Sequence, residues 1–350
     1  MYMGKLMNKI LLTISLLSTS FGTFAGGRDT INVVGSSTVY PFSTVVAERF
    51  GKSTKFKTPK IESTGTGGGM KLFCAGSGIN TPDMSNASRR MKKSEFDKCQ
   101  KNGVKSITEV LVGYDGIVIA NSKTSKQMKV TRKELFLALA KEVPALDGSE
   151  KLIANPYKNW NEINPNLPAF KIEILGPPPT SGTRDAFAEL VLEGGCKQFS
   201  WIKAIKKKNK NQYKSICHGV REDHVYIEAG ENDNLIVQKL IANPNAFGVF
   251  GFSFLDQNSD QLQGSTVDDS EPTFEAIADG SYPVSRPLFF YVKNSHVGKV
   301  PGILEFLKEF TSEYAMGEEG YLTDKGLIPL GEEKLKAVRE SVLLLTELRL

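Results

Sequence analysis

The sequence predicts an α/β protein of two domains, and three observations carry that prediction. Short β-branched runs alternate with helical patterns along the chain. With an N-terminal leader set aside about 325 residues remain, more than the about 250 to 300 that one core usually supports. Two extended stretches, "LVGYDGIVI" at 111–119 and "YPVSRPLFFYV" at 282–292, look like crossings between lobes.

The first 25 residues hold Lys5 and Lys9, then an apolar run at 10–17, and end on Thr23, Phe24 and Ala25. That run is too short for a bilayer, which needs ~20 apolar residues. A positive start, a short apolar core and small residues at 23 and 25 predict a secretory signal peptide cleaved after Ala25. Met1 and Met7 both remain possible starts, because 7–25 is a complete signal by itself. No later stretch is long and apolar enough for a membrane helix, so the mature chain is expected to be exported and soluble, without membrane insertion. Residues 30–34 then read as a strand, and 39–50 as a helix entered through Ser37 or Thr38 as cap, with Pro41 in its first turn. Val39, Phe42, Val45, Val46 and Phe50 form its apolar stripe. Strands follow at 106–112, 115–120 and 171–175, and helices at 131–142, 181–193, 300–315 and 332–348. Loops rich in Pro, Asn and Gly occupy 155–168, 243–247 and 259–272, and none looks like a long interdomain linker.

Loss of the leader removes two lysines and no acids from 44 Lys/Arg and 39 Asp/Glu, leaving 42 against 39, a net +3. That balance does not point to nucleic acid, which calls for a concentrated basic face. The one dense cluster, "KAIKKKNKNQYK" at 203–214, lacks interleaved aromatics and reads as a solvated helix end. Cys74, Cys99, Cys196 and Cys217 suit two disulfides in an oxidising compartment. Three connectivities are open to them, and the sequence-local pairs Cys74–Cys99 and Cys196–Cys217, each stapling one helical region, are favoured. A metal site is poorly supported, since no C-x-x-C exists and His218, His224 and His296 lack ligand spacing.

The stretch "STGTGGGMK" at 63–71 packs four glycines into five residues before a helix. It fits neither G-x-x-x-x-G-K-[ST] nor G-x-G-x-x-G, so it is not a nucleotide fingerprint. Three further turns share its character: "GSSTVYP" at 35–41, "NASRR" at 86–90 and "PTSGTRD" at 179–185. Each puts hydroxyl side chains and unpaired backbone N–H groups where the chain enters a helix. Converging, they would form a donor cage for a desolvated oxyanion. Taken singly, GSSTVYP and TSGTRD could be plain caps, and Arg89 and Arg90 surface charges opposite Glu95 or Asp97. The coincidence of four such turns favours the anion. Catalysis finds less support: Pro179 and Thr183 stand where a G-x-S-x-G elbow around Ser181 needs glycines. No histidine neighbours the turns in sequence, and no carboxylate pair stands out.

In their order, "GSSTVYPF", "STGTGGGMK", "NASRR", "GYDGIVIAN" and "TSGTRDAF" behind a signal peptide resemble the periplasmic phosphate-binding proteins of phosphate ABC transporters, over essentially the mature chain. The resemblance implies a type II periplasmic-binding fold, two α/β lobes joined by two hinge strands with a ligand cleft between. The lobes are expected at 27–112 plus 285–350 and at 113–284. It implies inorganic phosphate as ligand, an ABC permease as partner, no cofactor, no enzymatic activity, and a periplasmic monomer. The family's first turn matches Thr38 and Val39, with Ser37 beside them. Its glycine-rich loop matches Thr66, and its second-lobe turn Ser181, Gly182 and Thr183. Some members carry an aspartate where this chain has Ser88, and an arginine near Pro177; here the charge is carried by Arg89 and Arg184, as in another branch. With Ser88 in the acid's place, Asp115 is the nearest candidate to accept the proton that phosphate keeps and sulfate lacks, or else a plain turn aspartate. Sulfate or molybdate receptors and a secreted phosphatase are the rival functions.

Overall fold

The computed structural model describes residues 28–230 and 233–350; the expected leader lies outside them. Strands β1 (Asn32–Gly35), β2 (Lys60–Ser63) and β3 (Met84–Ala87) pair in parallel. They are followed by β4 (Ile107–Ser122), β5 (Ile174–Gly176), β6 (Tyr226–Glu228), β7 (Phe247–Gly251) and β8 (Ser285–Lys293). The sheet order is β2-β1-β3-β8-β4-β7-β5-β6, with Leu262–Gly264 on the end of β4. β4 is one strand where two were expected at 106–112 and 115–120. Its glycines at 113 and 116 make no turn, because antiparallel pairing with β8 continues through Gly113, Tyr114, Asp115 and Gly116. Beyond residue 116 its partner becomes β7. Thus β4 and β8 carry the chain between two α/β lobes.

Helices cover the lobes. α1 (Tyr40–Ser53) buries Phe42, Val46 and Phe50 at the four-residue spacing of one helix face. Each such side chain contributes roughly 1.5 to 3 kcal/mol of burial. α2 (Gly65–Phe73) leaves the glycine loop and α3 (Lys93–Lys101) follows β3. α4 (Arg132–Leu139) is shorter than the expected 131–142, and Thr131 and Glu134 form a capping box at its start. The expected helix at 181–193 is three pieces: α5 (Gly182–Phe187), a π-type turn Ala188–Leu192, and α6 (Glu193–Cys196). Next come α7 (Ser200–Lys208), α8 (Lys210–His218) and α9 (Asp233–Ala242). α10 (Ile303–Phe310) ends earlier than expected, at Thr311, and α11 (Glu332–Leu343) closes the chain. Both favoured disulfides are present: Cys74–Cys99 ties the end of α2 to α3, and Cys196–Cys217 ties α6 to α8. None of the described helices is long and apolar enough to cross a membrane.

Candidate anion-binding cleft

Strand order places the C-terminal ends of β1, β2 and β3 side by side, so the turns that leave them meet. The turn after β1 enters α1 without side-chain capping: the N-cap is Val39 and no hydroxyl bonds the helix amides. Ser37 Oγ instead donates to Asp185 Oδ2 at 2.7 Å, and Thr38 Oγ1 accepts from Arg286 at 2.6 Å. Capping therefore does not explain the hydroxyls of "GSSTVYP". Neither does it explain Thr64, the N-cap of α2, whose side chain makes no cap bond.

The glycine loop separates into distinct needs. Gly65 has φ +69°, a left-handed conformation that side chains rarely adopt, and Gly69 lies so close to β1 that a Cβ would sit 2.4 Å from Gly35 Cα. Beside Gly67 there is only open space. α2 thus packs hard against the sheet at Gly69, while its first turn leaves N–H groups without intrahelical partners. Thr66 Oγ1 accepts from Ser88 N at 3.1 Å and lies 3.1 Å from Ser88 Oγ.

From the second lobe the "TSGTRD" turn meets the first directly. A Cβ at Gly182 would come within 3.1 Å of Ser37 O and of Thr38 Cα. Ser181 caps α5, its hydroxyl accepting from Thr183 N at 3.2 Å. Arg184 lies 4.1 Å over the Tyr226 ring and donates to Pro177 O.

A cleft of about 460 Å³ opens beside the first-lobe turns, with Ser37, Thr38, Thr66, Ser88 and Arg89 on one wall and Asp185, Glu189 and Glu193 on the other. Val39, Asp115, Ser181, Gly182, Thr183 and Arg184 are not among the residues that line it. Gly182 abuts the 37–38 turn, and Asp115 stands behind Arg286. Arg89 is held by Glu95 through two bonds, at 2.9 and 2.7 Å, one of the pairings expected of a surface charge, while Arg90 is an exposed charge that pairs with Glu109 and not with Glu95 or Asp97.

The central charge is Arg286, which the sequence reading missed. Opposite Asp115 in the β4–β8 register, it donates to Asp115 Oδ2 at 3.2 Å, Glu189 Oε2 at 2.9 Å and Thr38 Oγ1. Its side chain is only 6% exposed. One guanidinium therefore links hinge strand, first lobe and second lobe. Burial holds the Asp115 carboxyl above the ordinary aspartate range, against the pull of Arg286. The available signal was a lone arginine inside the apolar run "YPVSRPLFFYV".

The 203–214 cluster is not merely a solvated helix end. Asn209 breaks it, capping α8 by accepting from Gln212 N, and Lys206, Lys210 and Lys214 line the cleft. Glu193 accepts from Lys206 at 2.6 Å and lies 2.8 Å from His218 Nε2; the His218 bond foremost, then Lys206, holds its carboxyl down to about 2.

Two α/β lobes, two crossing strands and a cleft lined by hydroxyls, helix-start amides and a buried guanidinium describe a solute receptor of the periplasmic-binding kind. The chain belongs to the PBP superfamily, whose domain matches residues 23–314. It is similar to the phosphate-binding protein PstS of Staphylococcus saprophyticus, 30% identical over 81% of this chain and 76% of that one. It is also similar to protein SphX of Synechococcus elongatus, 28% identical over 92% of this chain and 84% of that one. Among solved structures, a possible phosphate binding protein from Planctomyces limnophilus aligns with TM-score 0.71 and 27% identity, over 91% of this chain and 99% of that one. An ABC-type phosphate transport receptor from Vibrio cholerae shares the fold, with TM-score 0.57 at 18% identity over 86% of this chain and 100% of that one.

Proposed function

We propose that this protein captures inorganic phosphate in the cleft and delivers it to the permease of an ABC importer, acting as a receptor and not as an enzyme. The carrying observation is that "GSSTVYP", "STGTGGG" and "NASRR" meet at one cleft, with "TSGTRD" packed against the first of them. Kinship with phosphate-binding proteins over most of the chain selects phosphate among oxyanions. In this reading Ser37, Thr38, Val39, Thr66, Ser88 and Arg89 serve from a first lobe, 27–112 plus 285–350. Ser181, Gly182, Thr183 and Arg184 serve from a second, 113–284. Asp115 lies at the crossing, and Arg286 joins the set on geometry. The mature protein works as a monomer in the periplasm after cleavage behind Ala25. Calorimetric titration of ligand-stripped protein with phosphate, sulfate and molybdate tests the reading. Phosphate is expected to bind tightest; a preference for either other anion would refute it.

A further inference from the structure

The cleft is larger and more cationic than one orthophosphate needs. Its about 460 Å³ equals roughly fifteen water volumes at ~30 Å³ each, several times what five heavy atoms fill. Six cations line it, Arg89, Lys92, Lys206, Lys210, Lys214 and Arg286, against the three carboxylates of Asp185, Glu189 and Glu193. Those carboxylates are engaged: Asp185 by Ser37, Glu189 by Arg286, Glu193 by Lys206 and His218. Arg89 is neutralised by Glu95. Lys210 and Lys214 have no ion-pair partner among the described residues, while Lys92 is drawn to Glu95, whose carboxyl its charge helps hold down. Lys210, Lys214 and His218 are spaced four apart on α8, which puts them on one helix face, and the Cys196–Cys217 disulfide fixes that helix to α6. Lys92, just ahead of α3, faces the same space from the other lobe. Like charges brought together across a closing cleft repel unless an anion lies between them.

We propose that Lys210 and Lys214, with Lys92 opposite, form a second anion subsite, and that the cleft takes diphosphates: one phosphoryl group at the hydroxyl turns, the next at α8. This rests on the phosphate reading of the inner donors. Titration of the ligand-stripped mature protein with inorganic pyrophosphate and with orthophosphate tests it, in wild type and in the double variant Lys210→Gln/Lys214→Gln. The wild type is expected to bind both anions. The variant is expected to lose about tenfold or more for pyrophosphate and to stay within about twofold for orthophosphate, since only the longer anion reaches the lysines. Orthophosphate binding without pyrophosphate binding overturns the second subsite and leaves the phosphate reading standing. Equal weakening of both anions also overturns it, reducing the lysines to a general attractive field. Binding of neither anion overturns both readings.

Discussion

Arg286 shows how one side chain joins local chemistry to the whole cleft. Its guanidinium fork satisfies two carboxylates and a hydroxyl at once, and an ammonium on the same stem cannot reproduce that geometry. Arg286→Lys is therefore expected to weaken phosphate at least about tenfold in titration, and Arg286→Met to destabilise the fold by at most about 3 to 5 kcal/mol, because Asp115, only 14% exposed, loses its partner. Asp115→Asn tests the neighbouring group. It is expected to lower phosphate affinity and narrow the phosphate-to-sulfate ratio; an unchanged ratio assigns Asp115 to positioning Arg286 alone. Thr66→Val removes a hydroxyl donor worth roughly 1.5 to 3 kcal/mol against a charged ligand, so phosphate should weaken by about one to two orders of magnitude. The melting temperature should fall slightly as well, since Ser88 N loses its acceptor. Asp233, buried at the start of α9 and accepting from Gly251 N, has its carboxyl pushed up to about 6, chiefly by burial. Between about pH 4 and 6 the folded state holds this proton and the unfolded chain does not, so stability from this group falls as pH rises through that window. A span of about 2 pKa units corresponds to about 3 kcal/mol as an upper bound. Chemical denaturation of wild type and Asp233→Asn across pH 4 to 7 should show that component vanish in the variant.

At the scale of elements, the glycine loop assigns different work to neighbouring residues. Gly69→Ala drives a methyl into the β1 backbone and is expected to cost about 1 to 3 kcal/mol of stability. Gly67→Ala meets open space and should leave folding unharmed, or improve it through helix propensity, while a methyl at the cleft wall lowers phosphate affinity. Equal melting losses in the two variants would contradict this division. Strand and helix alternation, the α1 stripe, the four turns and the local disulfides were legible in the sequence, because each is a short-range pattern. The pairing of Arg286 with Asp115 was not, because it depends on the register of strands more than 160 residues apart. The lysines of 203–214 were visible, but their orientation follows from the break at Asn209 and from how α8 packs. The continuity of β4 through two glycines was hidden for a similar reason: pairing with β8 overrides their local tendency to turn.

For the whole molecule, two strands joining two lobes predict motion about the crossing. Ser37–Asp185 and Arg286–Glu189 bridge the lobes, and a ligand gripped from both sides would favour the closed arrangement further. Small-angle scattering is expected to show a smaller radius of gyration in phosphate than in ligand-free protein, and identical curves would count against closure. The claim that matters most, however, is where the anion sits. A crystal structure of the mature protein with phosphate addresses it directly. Tetrahedral density is expected in the cleft, with oxygens within hydrogen-bond reach of Thr38, Thr66 and Ser88 from one lobe and of the 181–183 turn from the other. Density held by one lobe alone, or outside this cleft, would contradict capture between the lobes.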